Sequence, residues 1–129
     1  MPGYAGDGML SAMDVSAKLQ IKPGQTVSVL KVPPGLEWPV DPADENPASA
    51  DVVIGFAVTR RDLDALGAVI EAARADRLAW IGYPKGGKLG TDLNRDLLVE
   101  AVSRLGVQPV RQVSIDETWS ALRFRPASL

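Results

Sequence analysis

Residues 51–83 read DVVIGFAVTRRDLDALGAVIEAARADRLAWIGY, and their patterning decides the fold class. From Asp51 to Thr59 the chain is apolar almost without interruption, which suits a strand buried on both faces, as in a parallel sheet. Thr59 stands where a helix N-cap belongs, and Asp62, three residues on, is its acidic partner in a capping box. Leu63, Leu66, Ile70 and Ala73 recur at helical spacing, so Arg60 to Ala75 is expected to be a helix with one apolar face. Leu78 to Tyr83 is a second apolar strand. Strand, helix and strand in this succession argue for a parallel sheet with helices packed on it, each unit crossing over with a right hand.

Toward the C-terminus, Pro84 to Gly90 (PKGGKLG) is a glycine-rich loop, and Thr91 is expected to cap the next helix. That helix carries an apolar stripe of Leu93, Leu97, Leu98, Ala101, Val102 and Leu105, and Gly106 stands where a C-terminal glycine belongs. Gln108 to Ile115 and Thr118 to Arg125, joined by Asp116-Glu117, read as an antiparallel hairpin.

Toward the N-terminus, Pro23-Gly24 marks a turn and Gln25 to Val32 (QTVSVLKV) reads as a strand. Ser11 to Leu19 is expected to form a short helix, and residues 1–10 a flexible glycine-rich start. Between the first two strands, residues 33–49 hold prolines at 33, 34, 39, 42 and 47, which excludes a helix or a central strand. This connection is either a spacer or a functional loop. The expected whole is a single α/β domain over residues 11–129, Rossmann-like, with a mostly parallel five-stranded sheet.

Composition narrows the chemistry. The chain has 129 residues and neither cysteine nor histidine, which excludes disulfides, zinc–thiolate sites, thiol catalysis and histidine triads within it. A net charge of -2 offers no electrostatic footprint for nucleic acid. No run approaches the roughly 18 apolar residues of a membrane helix. The N-terminal residues lack the basic start and apolar run of a secretory signal, so a cytoplasmic protein is expected.

The segment Leu19 to Val32 (LQIKPGQTVSVLKV) resembles the lead-in to the first strand of class I methyltransferases. Asp51 to Thr59 resembles their fourth strand, and the closing helix and hairpin, ending in residues 119–124 (WSALRF), resemble their last helix and final strand pair. The resemblance implies that the last strand inserts between the third and fourth, giving the order 1-2-3-5-4. Residues 15–126 also resemble a bacterial domain family of unknown function. The features are Lys22-Pro23-Gly24, the strand end Trp80-Ile81-Gly82-Tyr83-Pro84-Lys85, and Asp116-Glu117-Thr118-Trp119-Ser120. That family implies a fold and a bacterial cytosolic setting, and no reaction. In methyltransferases the first strand leads into a G-x-G turn that admits the cofactor closely. Here it leads into Lys31-Val32-Pro33-Pro34-Gly35, whose prolines supply no donors.

Residues 82–89 fit G-x-x-x-x-G-K, but Leu89 stands where a phosphate-binding loop needs a hydroxyl for magnesium. A weaker expectation survives: Lys85, Gly86, Gly87, Lys88 and Thr91, before a helix N-terminus, are candidates for binding a small anion. Asp51 is expected to face the same cleft. Trp38 is a candidate to plug the sheet top, cover a ligand or anchor a partner. Asp41, Asp44 and Glu45 read as solvated loop acids. Arg123 and Arg125 share strand parity with Trp119 and Ala121, and Arg111 lies on the neighbouring strand; the three either form a positive stripe on a sheet face or, as exposed cross-strand arginines usually do, pair with carboxylates. No catalytic constellation and no metal site emerges. The leading expectation is a non-catalytic binding or interaction module with no cofactor, acting with a protein partner or as a homo-oligomer. The alternative is a small enzyme or anion- or nucleotide-binding protein using the 84–90 loop, possible users of S-adenosylmethionine included.

Overall fold

The computed structural model describes residues 17–33 and 46–127. The N-terminal start, Trp38 and the acids Asp41, Asp44 and Glu45 lie outside the described residues. Of the helix expected over Ser11 to Leu19, residues 17–19 are described; residues 17–18 are helical and Leu19 lies in a turn.

Five strands form one sheet: β1 (Val27–Leu30), β2 (Val52–Phe56), β3 (Leu78–Pro84), β4 (Val107–Ser114) and β5 (Trp119–Pro126). Two α-helices connect them among the described residues, α1 (Gly67–Arg74) and α2 (Arg95–Ser103). The spatial order is β1-β2-β3-β5-β4. The sheet is mixed. β1 with β2 and β2 with β3 pair parallel, whereas β5 pairs antiparallel with both β3 and β4. Among the described residues no helix is long and apolar enough to cross a membrane.

This topology explains where the helices lie. Because β5 opposes both neighbours, β4 runs in the same direction as β3. The units β2–α1–β3 and β3–α2–β4 therefore both join strands of one direction, and both step the same way across the sheet. Crossovers of one hand that step the same way put their helices on one face. Both helices do pack there: Val69, Ile70 and Ala73 of α1 and Leu98 and Val102 of α2 share a core with Val53, Ile81, Leu122 and Phe124. The opposite face carries Val52, Ile54, Phe56, Trp80 and Trp119, packed with Leu19 and Ile115. Trp80 is fully buried there, and its indole Nε1 donates to the Leu19 carbonyl at 2.9 Å. That bond satisfies the one polar atom of the ring and ties the chain before β1 to the sheet.

The helix expected over Arg60 to Ala75 is broken in two. A 3-10 turn spans Arg61–Leu66 and the α-helix begins at Gly67. Leu66 leaves helical geometry (φ −104°, ψ 25°) and is fully buried. A Cβ at Gly55 of β2 would lie 2.6 Å from Leu66 Cδ2 and 2.9 Å from Val69 Cγ2. The break thus lets Leu66 descend onto bare backbone, and the absence of a side chain at Gly55 sets how close this element comes to the sheet.

Candidate functional site

Since β1, β2 and β3 run parallel, Lys31, Val58 and Lys85 leave the sheet at the same, carboxyl end. Open α/β sheets bind ligands outside that end. A cleft of about 250 Å³ opens here, lined by Lys31, Pro33, Phe56, Val58, Asp62 and Trp119. Phe56 and Trp119 form part of its wall and meet edge to face, with ring centroids 5.4 Å apart at 88°. Phe56 is held in place because its ring lies over Gly82 of β3, where a Cβ would stand 2.7 Å from Phe56 Cδ2. Lys31 follows β1 in a left-handed conformation (φ 62°).

Asp62 is the acid of this cleft. Its Oδ2 accepts the backbone N–H groups of Val58 at 3.0 Å and Thr59 at 3.1 Å. In return the Asp62 N–H donates to Thr59 Oγ1 at 3.2 Å. This is the capping box expected from the sequence. The Val58 N–H and then the Thr59 N–H hold the Asp62 carboxyl below its ordinary pKa, with Lys31 adding to the shift. An acid held ionised in this way is suited to structure and not to giving up a proton near neutrality.

The glycine-rich loop is arranged differently from the expectation. Helix α2 opens at Arg95, capped by Asn94, whose side chain accepts from the Leu97 N–H at 2.9 Å. Thr91 is not the cap: it is extended (φ −64°, ψ 145°), its hydroxyl donates to the Val58 carbonyl, and the same oxygen accepts the Leu93 N–H at 2.9 Å. Asp92 also precedes α2, and its Oδ1 accepts the Arg60 N–H at 2.8 Å. Residues 91 and 92 bind the loop after β2, which holds them out of the helix. Lys85, Gly86, Gly87 and Lys88 consequently do not lead straight into the N-terminus of α2. Lys85 Nζ donates to Ser114 Oγ at 2.5 Å, and the Lys85 N–H donates to the Thr118 carbonyl at 2.7 Å. Gly86, Gly87 and Lys88 are exposed.

Asp51 does not face this cleft. It precedes β2 and lies at the amino end of the sheet, roughly 15–20 Å from the carboxyl end at the usual rise of a strand. There its Oδ2 accepts the Thr26 N–H at 3.0 Å, and its own N–H donates to Thr26 Oγ1 at 2.9 Å. The reciprocal pair joins the starts of β1 and β2.

The structure also brings together residues that the sequence did not single out. Ser114, at the end of β4, receives Lys85 through its hydroxyl and Lys18 Nζ through its carbonyl at 3.2 Å. Tyr83 is buried, and burial pushes its phenol pKa up; its hydroxyl accepts from Gln112 Nε2 at 3.1 Å. The Tyr83–Gln112 and Lys85–Ser114 contacts join β3 and the residue after it to β4 across β5, and such a distance across the sheet leaves no periodic signal in the chain. Among the described residues no group of three or more Asp and Glu side chains is placed to hold a metal ion. Compared with known families and with curated proteins, the chain matches no family model and no curated protein.

Proposed function

We propose that the chain is a non-catalytic binding module on a Rossmann-like scaffold of the shortened class I methyltransferase kind. In this reading the cleft between the ends of β1 and β2 receives one large apolar side chain of a protein partner. The scaffold reading is supported by the strand order β1-β2-β3-β5-β4, with the last strand inserted antiparallel. A bacterial, cytoplasmic setting belongs to the same proposal and rests on the resemblance of residues 15–126.

The observation that carries the binding reading is the size and lining of the cleft. Its volume of about 250 Å³ falls below the roughly 300–1,000 Å³ of sites that enclose a small organic ligand. Phe56, Val58 and Trp119 give it an apolar wall, while Lys31 and Asp62 stand at its polar margin. A single aromatic anchor in such a pocket is the usual centre of a protein interface. An adenosyl cofactor would also have to approach Lys31-Val32-Pro33 without the bare backbone of a glycine turn.

Amide chemical-shift mapping tests the proposal with two probes in separate titrations, N-acetyltryptophanamide and S-adenosylmethionine. The indole amide is expected to move the resonances of Val58, Asp62 and the Trp119 ring N–H, and the adenosyl compound to leave them in place. Saturable shifts at Lys31 and Asp62 with S-adenosylmethionine overturn the proposal. So does an indole response confined to residues away from the cleft.

A further inference from the structure

The amino end of the sheet holds a second cavity, of about 370 Å³, lined by Gln20, Lys22, Asp51, Asp76, Arg77 and Arg123 among others. Its charges are not in balance once their partners are assigned. Asp76 is engaged by Arg125, which reaches its two carboxylate oxygens at 3.0 Å and 3.2 Å. Asp51 accepts the Thr26 N–H. Arg77 Nη1 donates to the carbonyls of Pro47 and Ala50 at 3.0 Å and 2.8 Å. Among the described residues Lys22, Arg77 and Arg123 have no ion pair with a carboxylate, although the charge of Asp76 acts on Arg123.

Arg123 is the sharper case. It projects from β5 on the face of Trp119 and Ala121, and is paired in register with Trp80 on β3 and Arg111 on β4. Its Nη1 donates to Gln20 Oε1 at 2.7 Å, a neutral acceptor. Its Nε is buried and has no partner, the only such side-chain atom among the described residues. Burial first, and then the neighbouring Arg125 guanidinium, hold its pKa below the usual arginine value, with Asp76 opposing the shift and Arg111 adding to it. A buried donor left unpaired in a native fold calls for an explanation, and an unfilled ligand position is one. In a guanidinium, Nε and Nη2 form the edge that takes an oxyanion through two parallel hydrogen bonds. Gln20 engages Nη1 and does not use that edge.

We propose that this cavity is a binding site for a small oxyanion-bearing molecule, a phosphate or carboxylate compound. Arg123 is its anchor through the Nε–Nη2 edge, and Lys22 is a second cation at the rim. Because Nε is buried as it stands, the proposal includes a turn about the last dihedral angles of Arg123 that brings the Nε–H to the cavity. The site lies at the opposite end of the sheet from the cleft proposed for a partner side chain, and neither proposal depends on the other.

The test is a titration with inorganic phosphate against sodium chloride of equal ionic strength, read by thermal unfolding and by NMR of the arginine Nε–H groups. The wild-type midpoint is expected to rise with phosphate, with shifts at the Arg123 Nε–H and the Gln20 side-chain amide. Arg123→Gln is expected to weaken binding at least about ten-fold, the scale of losing a charge-assisted hydrogen bond. Lys22→Ala changes an exposed side chain and is expected to weaken binding by less, which keeps the test valid if Arg123→Gln fails to fold. No phosphate response in the wild type, an unchanged response in both variants, or shifts confined to residues 85–91 overturns the proposal.

Discussion

The two ends of the sheet are closed by different kinds of side chain. At the carboxyl end, Lys85 reaching Ser114 apart, short acids and hydroxyls bind backbone groups. Asp62 holds the Val58 and Thr59 N–H groups, Thr91 binds the Val58 carbonyl, and Asp116 Oδ1 accepts the N–H groups of Thr118 and Trp119. At the amino end, the Thr26–Asp51 pair apart, long cations reach across to distant groups, Arg77 to Pro47 and Ala50, Arg125 to Asp76 and Arg123 to Gln20. Short side chains lose little rotamer freedom and leave few donors over. An arginine carries five N–H donors in a fixed fork, and local acceptors seldom use all of them. Among the described residues the one buried side-chain donor without a partner therefore lies at the end opposite to where ligands are ordinarily sought.

The contrast can be broken most forcefully at Gly82. Gly82→Ala drives a Cβ to within 2.7–2.8 Å of the Phe56 ring. Overpacking of this kind costs roughly 1–3 kcal/mol. A urea midpoint lowered to that extent is expected, with loss of the indole response in the cleft and the phosphate response at Arg123 retained. Loss of both responses would mean that the two ends do not behave separately.

Asp62→Ala comes next, with an expected cost of about 1–2 kcal/mol from removing the capping acceptor. Its pH dependence follows from the lowered pKa of Asp62 in the fold. The stability that Asp62 contributes is fully present above its unfolded pKa, near 3.9, and is lost as the pH falls through the folded value. The gap between wild type and Asp62→Ala should thus be constant from neutrality to about pH 5 and close below about pH 4. Urea melts at a series of pH values measure it, and a gap that widens in acid would refute the capping role.

The smallest effect is expected at the amino end. Asp76→Asn breaks the ion pair with Arg125, but both side chains are about half exposed, at 51% and 49%. Exposed pairs contribute little and are screened by salt. The change in urea midpoint should fall below that of Asp62→Ala and vanish at high salt. A larger effect than Asp62→Ala would reverse the contrast between the ends.

Much of the carboxyl end was legible because its interactions are local. Thr59 and Asp62 stand three residues apart, and a capping box is a local pattern. The alternation of strands and helices follows from patterns only a few residues long, and β2, β3 and the closing hairpin are where the patterning puts them. The loop was less legible. Thr91 has the chemistry of a cap, yet Asn94 is the cap, because Val58 lies close enough to take the Thr91 hydroxyl. Nothing near Thr91 in the chain carries that information. Asp51 looked like a cleft residue until the parallel register placed the start of β2 at the far end.

By itself the sequence determined the element types, their order, the Thr59–Asp62 cap and the exclusion of thiol and imidazole chemistry. These depend on hydrophobic period, turn residues and composition, all of them local or global sums. Only the tertiary structure decided which end of the sheet each polar residue occupies, that Leu66 breaks its helix over Gly55, and that Arg123 keeps a buried N–H unpaired. These depend on strand register and on close approach between segments far apart in the chain, which no local pattern encodes because the partner is brought there by packing.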